Sequence, residues 1–451
     1  MGKEQTRDMT KGSPAGIIVA FAIPLMLGNV FQQLYTVVDS VIVGRGVGVE
    51  ALAALGSADW LSFTAMSTIT GITQGFSVLI AQTFGAKDRQ RMQKAIAMSV
   101  WLSVLFTLLI MGAFTCKLPE LLGLLRVPDN IFGQASDYLY ILFFGLGATA
   151  LYNLCAGFLR AMGDSKTPLA AMIAAAAANI LLDLIFVLGF HWGVKGAAWG
   201  TVAAQICSGT ICFIQLKRYG VWKIPWKDWS GDLAVVYELL RLGLPVALQN
   251  TIIGFGGIVI QYVINGFGFL YVAGFTATNK LYGLFELAAV SFGYATSSFV
   301  GQNLGAKEYE RIREGVRVSV KISIVISIGI GAILLIFGPQ ILQIFISKKE
   351  VQAEAVLGIA YRYLAVMAAT LVILYLLHIY RSALQGMGDT VMPMFSGIAE
   401  LTMRILIALL LPLLIGKSGI YFAETGAWTG ALIILLPSYY RRIRKLYLRK
   451  R

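Results

Sequence analysis

Residues 82–103 read QTFGAKDRQRMQKAIAMSVWLS, and residues 302–323 read QNLGAKEYERIREGVRVSVKIS. The two stretches align without gaps at a shift of 220, with eight of 22 positions identical. Further markers follow in the same order. Pro24 and Asn29 recur as Pro245 and Asn250, a shift of 221. Met162-Gly163-Asp164 and Pro168 recur as Met387-Gly388-Asp389 and Pro393, a shift of 225. The chain is a duplication, and the period of a repeat limits the fold before single elements are assigned.

Composition says what is duplicated. The 451 residues are 57% hydrophobic and 13% charged, with a mean hydropathy of +0.75, whereas soluble domains are roughly 45–50% apolar and 25% charged. This excludes a soluble domain, a collagen-like chain and a disordered one. Cys116, Cys155, Cys207 and Cys212 lie in or beside apolar runs without zinc or redox spacing, and two histidines make no His-rich metal site. A helix needs about 20 apolar residues to cross a bilayer. Twelve such runs are readable, near 15–44, 51–82, 95–116, 131–158, 167–190, 194–216, 238–266, 271–302, 316–346, 354–381, 391–415 and 419–438. Six spans per copy is an even number, so both copies enter the membrane in the same sense and are related by an axis along its normal. The expected fold is an all-α polytopic membrane protein, twelve transmembrane helices in two six-helix lobes related by a parallel pseudo-two-fold repeat. Residues 1–217 form the N-lobe, 218–237 an interfacial linker, 238–440 the C-lobe and 441–451 a basic cytoplasmic tail.

The net charge of +14 would suggest nucleic acid in a soluble protein. Here the basic residues sit in short loops between apolar runs, where they report topology. With the N-terminus cytoplasmic, 27 Lys and Arg fall on that side, including Arg381. Seven fall on the other: Arg45, Lys117, Arg126, Lys195, Lys348, Lys349 and Lys417. Both termini are therefore expected inside, in the cell's inner (plasma) membrane. The partners expected are the lipid bilayer and a small organic substrate, with no nucleic acid and no obligate protein. The polar first thirteen residues precede an apolar run without a small-residue cleavage site, so the first span is expected to stay uncleaved. In RYGVWKIPWKDWSGD, residues 218–232, three Trp alternate with Lys, as in a segment lying on the inner leaflet.

Repeated motifs suggest mechanical roles. The Gly-Ala-Lys turns after spans 2 and 8 end a helix with a residue tolerant of positive φ. Pro24 and Pro245 each remove a helix hydrogen bond, so spans 1 and 7 should bend, with Pro24 a candidate gate.

Ionisable residues inside spans are costly and mark function by default. They are Asp39, Asp59, Asp183, Lys280, Glu286, Glu400 and Arg404. Glu400 and Arg404 are spaced i, i+4 in the favourable order and should pair. Asp59 and Lys280 occupy near-equivalent places in the two copies. Asp39 and Asp183 have no cation in their own spans. At 1.5 Å per residue, Asp183 lies about 24 Å into span 5 with Asn179 one turn below it, and Thr201 lies roughly 10 Å from the outer end of span 6. Asp39 is five residues from the outer end of span 1. The four converge in the outer half of the N-lobe as a hard oxygen site for Na⁺ or a shared proton. The alternative is two unrelated acids satisfied by backbone or water. The second copy lacks these groups: Asp39 maps to Ile260, Asn179 to Arg404 and Asp183 to Ala408.

These residues together resemble the multidrug and toxic compound extrusion (MATE) transporters, in particular the DinF-like subgroup. The resemblance covers essentially the whole chain. It rests on the twelve spans in two halves, Pro24 through Val37-Val38-Asp39-Ser40, the repeated Gln-x-x-Gly-Ala-Lys and the Met-Gly-Asp turns. It implies that Asp39, Asn179, Asp183 and Thr201 couple a cation, and that Tyr35 and Asn153 line the substrate cavity. It also implies H⁺ or Na⁺ antiport against organic, often cationic, compounds, with no catalytic residue, no cofactor and no metal beyond such a Na⁺. A further branch of that family carries a glutamate in span 7, but residues 245–268 contain no acid. Two other readings share features of the sequence: a lipid-linked saccharide flippase of the same fold, for which Lys280 and Arg404 speak, and an intramembrane aspartyl hydrolase.

Overall fold

The structure, a computed structural model, describes residues 7–125, 127–229, 231–346 and 352–448. Arg126, Lys348, Lys349 and the last three residues of the basic tail lie outside them. Among the described residues the secondary structure is helical, without strands. The chain opens with α1 (Pro14–Gly46), α2 (Val49–Gly85) and α3 (Arg89–Cys116), followed by the short α4 (Leu118–Leu124). Next come α5 (Asp129–Phe144), α6 (Leu146–Ala161), α7 (Lys166–Asp183) and α8 (Val194–Arg218). The second copy runs through α9 (Leu233–Gly266), α10 (Phe269–Gly305), α11 (Tyr309–Leu342), α12 (Ala353–Ala369), α13 (Leu371–Gly386), α14 (Val391–Ile415) and α15 (Ala423–Leu448).

By length and apolarity ten runs cross a membrane, taking each of two bent helix pairs as one span. One of the ten, Val391–Leu448, holds both α14 and α15, joined by a 3₁₀ turn at Gly416–Phe422. Separating these two, and adding α10 with its interior Lys280 and Glu286, gives the twelve spans read from the sequence.

The fourth and tenth spans are not continuous helices. α5 and α6 meet at 44° about Gly145, and α12 and α13 at 50° about Thr370. The Thr370 hydroxyl explains the second break, since it bonds the Val366 carbonyl (2.8 Å) and Thr425 (2.8 Å). Such back-bonding to a carbonyl four residues earlier, shared here with the Thr370 amide (3.2 Å), often bends a helix. α15 likewise continues to Leu448, so residues 441–448 extend the last span as helix, with Ile443 and Leu446 buried.

Two compact units form, Met1–Lys11 with Ile23–Thr251, and Gly12–Ala22 with Ile252–Arg451. The divisions fall inside α1, beside Pro24, and inside α9, six residues after Pro245, rather than in the 218–237 segment. The start of α9 therefore belongs to the first unit. Glycines make the close approach there: a Cβ at Gly75 of α2 would fall 2.5 Å from the Gly243 Cα. Val235, Leu239, Leu242 and Ala247 join Ile72, Phe76 and Phe158 in one of its apolar cores.

The 218–237 segment is docked on the first unit rather than merely laid beside it. Trp222 stacks on Phe213 at 4.9 Å, Gln93 donates to the Lys223 carbonyl (2.8 Å), and Lys94 pairs with Asp232 (3.0 Å). The Lys94 hydrogen bond holds the Asp232 carboxyl below its ordinary range. Trp226, at 90%, and Tyr237, at 69%, are the segment's exposed aromatics among the described residues.

The duplicated turns close by one device. Lys87 N–H donates to the Phe84 carbonyl and Asp88 N–H to Thr83; Lys307 and Glu308 repeat the pair on Leu304 and Asn303. These are Schellman turns. The left-handed residue is the lysine (φ 58° and 62°), not the glycine two positions earlier. That corrects the sequence expectation, and Gly85 and Gly305 remain helical. A β-carbon in that region costs roughly 1 kcal/mol. Lys87→Gly should therefore stabilise the fold by about 0.5–1 kcal/mol, read as a raised melting temperature, whereas Lys87→Val should lower it. The Met-Gly-Asp turns use glycine at the same place, Gly163 at φ 84° and Gly388 at φ 75°. Asp164 then caps α7, accepting from Lys166 and Thr167 N–H (3.0 Å each) and from Tyr219 Oη (2.8 Å).

Candidate functional site

α7 ends at Asp183 and passes into a π-helical turn, Leu184–Gly189. Such turns widen the helix and recur at functional sites. Asn179 lies one turn earlier on the same face, and both side chains are fully buried. A Cβ at Gly28 of α1 would stand 3.6–3.7 Å from Leu169 and Met172 of α7. Three turns further along α1 stands Asp39, 6% exposed. Its carboxyl group lies against that of Asp183, within reach of a shared proton. The convergence expected from depth arithmetic is thus present for Asp39, Asn179 and Asp183.

The surroundings add four groups that the sequence did not single out. Gly200 of α8 faces the acid directly: a Cβ there would overlap Asp183 Oδ1 and stand 3.6 Å from Asn179 Nδ2. The missing side chain is what lets the carboxyl seat itself on α8. Thr201, whose hydroxyl the sequence points to, is the half-buried neighbour of that glycine. Tyr138 of α5, buried, feels the charges of Asp39, Asp59 and Asp183. Gln205 of α8 and Gln32 of α1 flank the Tyr35 hydroxyl, which lies near both acids. Asn153 turns its amide onto the Thr149 carbonyl of its own helix (3.0 Å). Asp59 and Lys280 are exposed, and Pro24 is half-buried in the interior of α1.

Unsatisfied polar atoms gather here, whereas elsewhere among the described residues of the first unit they occur singly, as at Ser103, Thr115 and Gln134. Asp39 Oδ1, both oxygens of Asp183 and both polar atoms of Asn179 are buried without a protein hydrogen-bond partner. Each unsatisfied buried polar group costs about 1–3 kcal/mol, and a charged one more. Four of the five atoms are acceptors. Carboxylates cannot donate to one another when ionised, so the partner they need comes from outside the protein: a water, a proton or a metal cation. No group of three or more His, Cys, Asp or Glu is placed to hold a metal ion among the described residues. The acceptor set is hard, oxygen-based and of low charge, which suits a monovalent cation or a proton.

Substituting Gly200 tests the seating of Asp183. Gly200→Ala leaves a good helix former but drives the methyl into Oδ1. We expect loss of at least about 90% of transport with a melting temperature changed by less than about 3 °C, the signature of a displaced functional group rather than a lost core. Wild-type transport in Gly200→Ala would refute the seating.

The second unit carries a different cluster. Arg381 of α13 pairs with Glu400 of α14 at 2.7 Å, and Glu400 also accepts from Arg404 at 3.2 Å. Arg404 reaches across to Glu424 of α15 with two bonds, 3.1 and 2.9 Å. Glu286 sits 3.5 Å from His378. The expected Glu400–Arg404 pair is present. Arg381, counted from sequence among cytoplasmic loop cations, is instead buried inside α13 at 8% exposure. Glu424 was not singled out, because its partner is 20 positions away on the neighbouring helix.

Similarity to known proteins agrees with this architecture. The family model MatE matches residues 24–185 and 245–410, one copy of the repeat each. The probable multidrug resistance protein YpnP of Bacillus subtilis (strain 168) is 33% identical over 354 residues, 77% of this chain and 78% of that protein. YoeA of the same organism, also a probable multidrug resistance protein, is 29% identical over 357 residues, 76% of each chain. Among solved structures, a MOP superfamily transporter from Pyrococcus furiosus superposes with a TM-score of 0.91 over 99% of both chains at 24% identity. An outward-facing multidrug resistance MATE family transporter does so with a TM-score of 0.87 at 23% identity, again over 99% of both. The family match covers both copies of the repeat and the relatives span most of the chain, so this protein belongs to the MatE family and is a membrane-spanning secondary transporter rather than an enzyme.

Proposed function

We propose that this transporter is a cation-coupled antiporter, exporting organic, cationic compounds by alternating access while H⁺ or Na⁺ moves the other way. The observation that carries this reading is the group of five partnerless buried atoms on Asp39, Asn179 and Asp183. Two facing carboxylates repel when both are ionised and dry. A proton between them converts the repulsion into a hydrogen bond, and a Na⁺ held by the same oxygens neutralises it. Occupied and empty forms of the site then differ strongly in energy, and a ligand shifts a conformational equilibrium only through such a difference. Tyr35 and Tyr138 supply aromatic surface near the acids and Thr201, next to Gly200, a further oxygen, while Asn153 of α6 is assigned to the substrate cavity.

The relatives named above as multidrug resistance proteins support export as the direction. The 27-to-7 distribution of Lys and Arg supports an inner-membrane protein with both termini cytoplasmic; moving Arg381 to the interior leaves 26 to 7 and the same orientation. No cofactor enters this reading, and its partners are the bilayer and the small organic substrate.

The test is purified protein in liposomes loaded with an ethidium-like dye, with a pH gradient or a sodium gradient imposed separately. Dye movement driven by one gradient names the ion. No movement under either would overturn the reading and turn attention to lipid-linked saccharides. Against that alternative stands the pairing of the buried arginines with Glu400 and Glu424, which leaves them engaged rather than ready for a pyrophosphate.

A further inference from the structure

The two copies of the repeat differ at three positions that belong together. On the first helix of each copy, Tyr35 and Asp39 become Gly256 and Ile260 at the 221 shift. On the fifth span, Asn179 becomes Arg404 at the 225 shift. In the second unit these changes interlock physically. A Cβ at Gly256 would overlap Arg404 Nη1, so the guanidinium uses space that any side chain at that position would claim. Ile260 supplies a buried apolar wall in place of an acid.

Arg404 then meets two carboxylates, Glu400 at 3.2 Å and Glu424 at 2.9 and 3.1 Å. Arg381 adds a second cation to Glu400 at 2.7 Å. Two arginines against two glutamates leave the quartet neutral. Both contacts of Arg404 with Glu424 are used in the bidentate fork that suits this residue better than lysine.

We propose that Arg404 is a covalently tethered counter-cation filling a latent monovalent-cation site in the second unit, a site whose anionic ligands are Glu400 and Glu424. In the first unit the repeat-related position holds an amide, and the acids there are left for a mobile ion. In the second unit the cation is permanently supplied by the chain. This assignment rests on the quartet and the repeat, not on the coupling reading given above, and it extends that reading by explaining why one unit alone would respond to ions. A buried arginine whose partner acids remain is expected to leave a cation-shaped deficit when truncated.

Chemical rescue tests it. In an Asp39→Asn/Asp183→Asn background, so that the first unit contributes no cation response, Arg404→Ala should lower the melting temperature. Millimolar methylguanidinium chloride or sodium chloride should then raise it by at least about 2 °C relative to choline chloride. Adding Glu424→Gln should abolish that rise. Absence of any rise with either cation, in a variant that elutes as a folded monodisperse protein, overturns the proposal. Should that variant not fold, Arg404→Gln in the otherwise native chain is compared with charge-balanced Arg404→Gln/Glu424→Gln. A methylguanidinium response confined to the former supports the tether, and equal responses in both overturn it. A failed dye assay leaves this result untouched, because the readout is thermal stability without transport.

Discussion

Asp183→Asn is expected to reduce gradient-driven substrate export by about 100-fold while leaving the fold and substrate binding in place. The magnitude is that of an ordinary coupling free energy, 1–3 kcal/mol or about 5–150-fold, placed near its upper end because the acid is fully buried. The substitution is isosteric, and an amide in that position can pair with Asn179, two of whose atoms are without partners. Stability should therefore be unchanged or increased, which separates the effect from misfolding. Asp39→Asn should give a similar loss. Because the two carboxyl groups face each other, removing both should cost little more than removing one, a non-additivity that a double-mutant cycle measures. The assay is the initial rate of dye export from liposomes with and without an imposed gradient, alongside dye binding to detergent-solubilised protein. Export by Asp183→Asn at the wild-type rate, still driven by the gradient, would remove the site from the mechanism.

Much of this architecture is legible in the sequence because it is written in long-range patterns. The repeat of Gln-x-x-Gly-Ala-Lys and Met-Gly-Asp fixes two copies, and the apolar runs fix six spans in each. The common depth of Asp39 and Asp183 follows from helix rise, since straight spans between parallel planes turn sequence position into depth. What escaped depends on lateral contact, which depth does not encode. Tyr138 looks like any aromatic in an apolar run, and only the packing of α5 brings it to the acids. Gly200 carries a signal of its own beside Thr201: a glycine in mid-helix marks close approach. Arg381 sits five residues before Gly386, one helical turn deeper than a cation at the membrane edge, and composition does not separate those depths. The breaks at Gly145 and Thr370 lie within runs whose apolarity is continuous, so hydropathy reads straight through them.

Glu400→Gln should be the most destabilising single substitution in the second unit. Glu400 is the acid shared by Arg381 and Arg404, at 2.7 and 3.2 Å, and is 5% exposed. Arg404 keeps Glu424 as a partner, but among the described ion pairs Arg381 has only Glu400. Breaking a buried pair by removing one member typically costs about 3–5 kcal/mol, since the remaining charge is left uncompensated out of water. At about 2–4 °C per kcal/mol for a unit of this size, the melting temperature should fall by roughly 6–20 °C. The three helices that the quartet joins, α13, α14 and α15, should loosen together, visible as faster hydrogen exchange across all three rather than at α14 alone. Replacing both members, Arg381→Met with Glu400→Met, should recover most of the loss, because apolar side chains of similar volume match a buried ion pair in stability. Arg404 then still has Glu424, so the double variant stays neutral within the core. A double variant as unstable as Glu400→Gln alone would mean that the quartet holds the helices through hydrogen-bond geometry and not through charge balance.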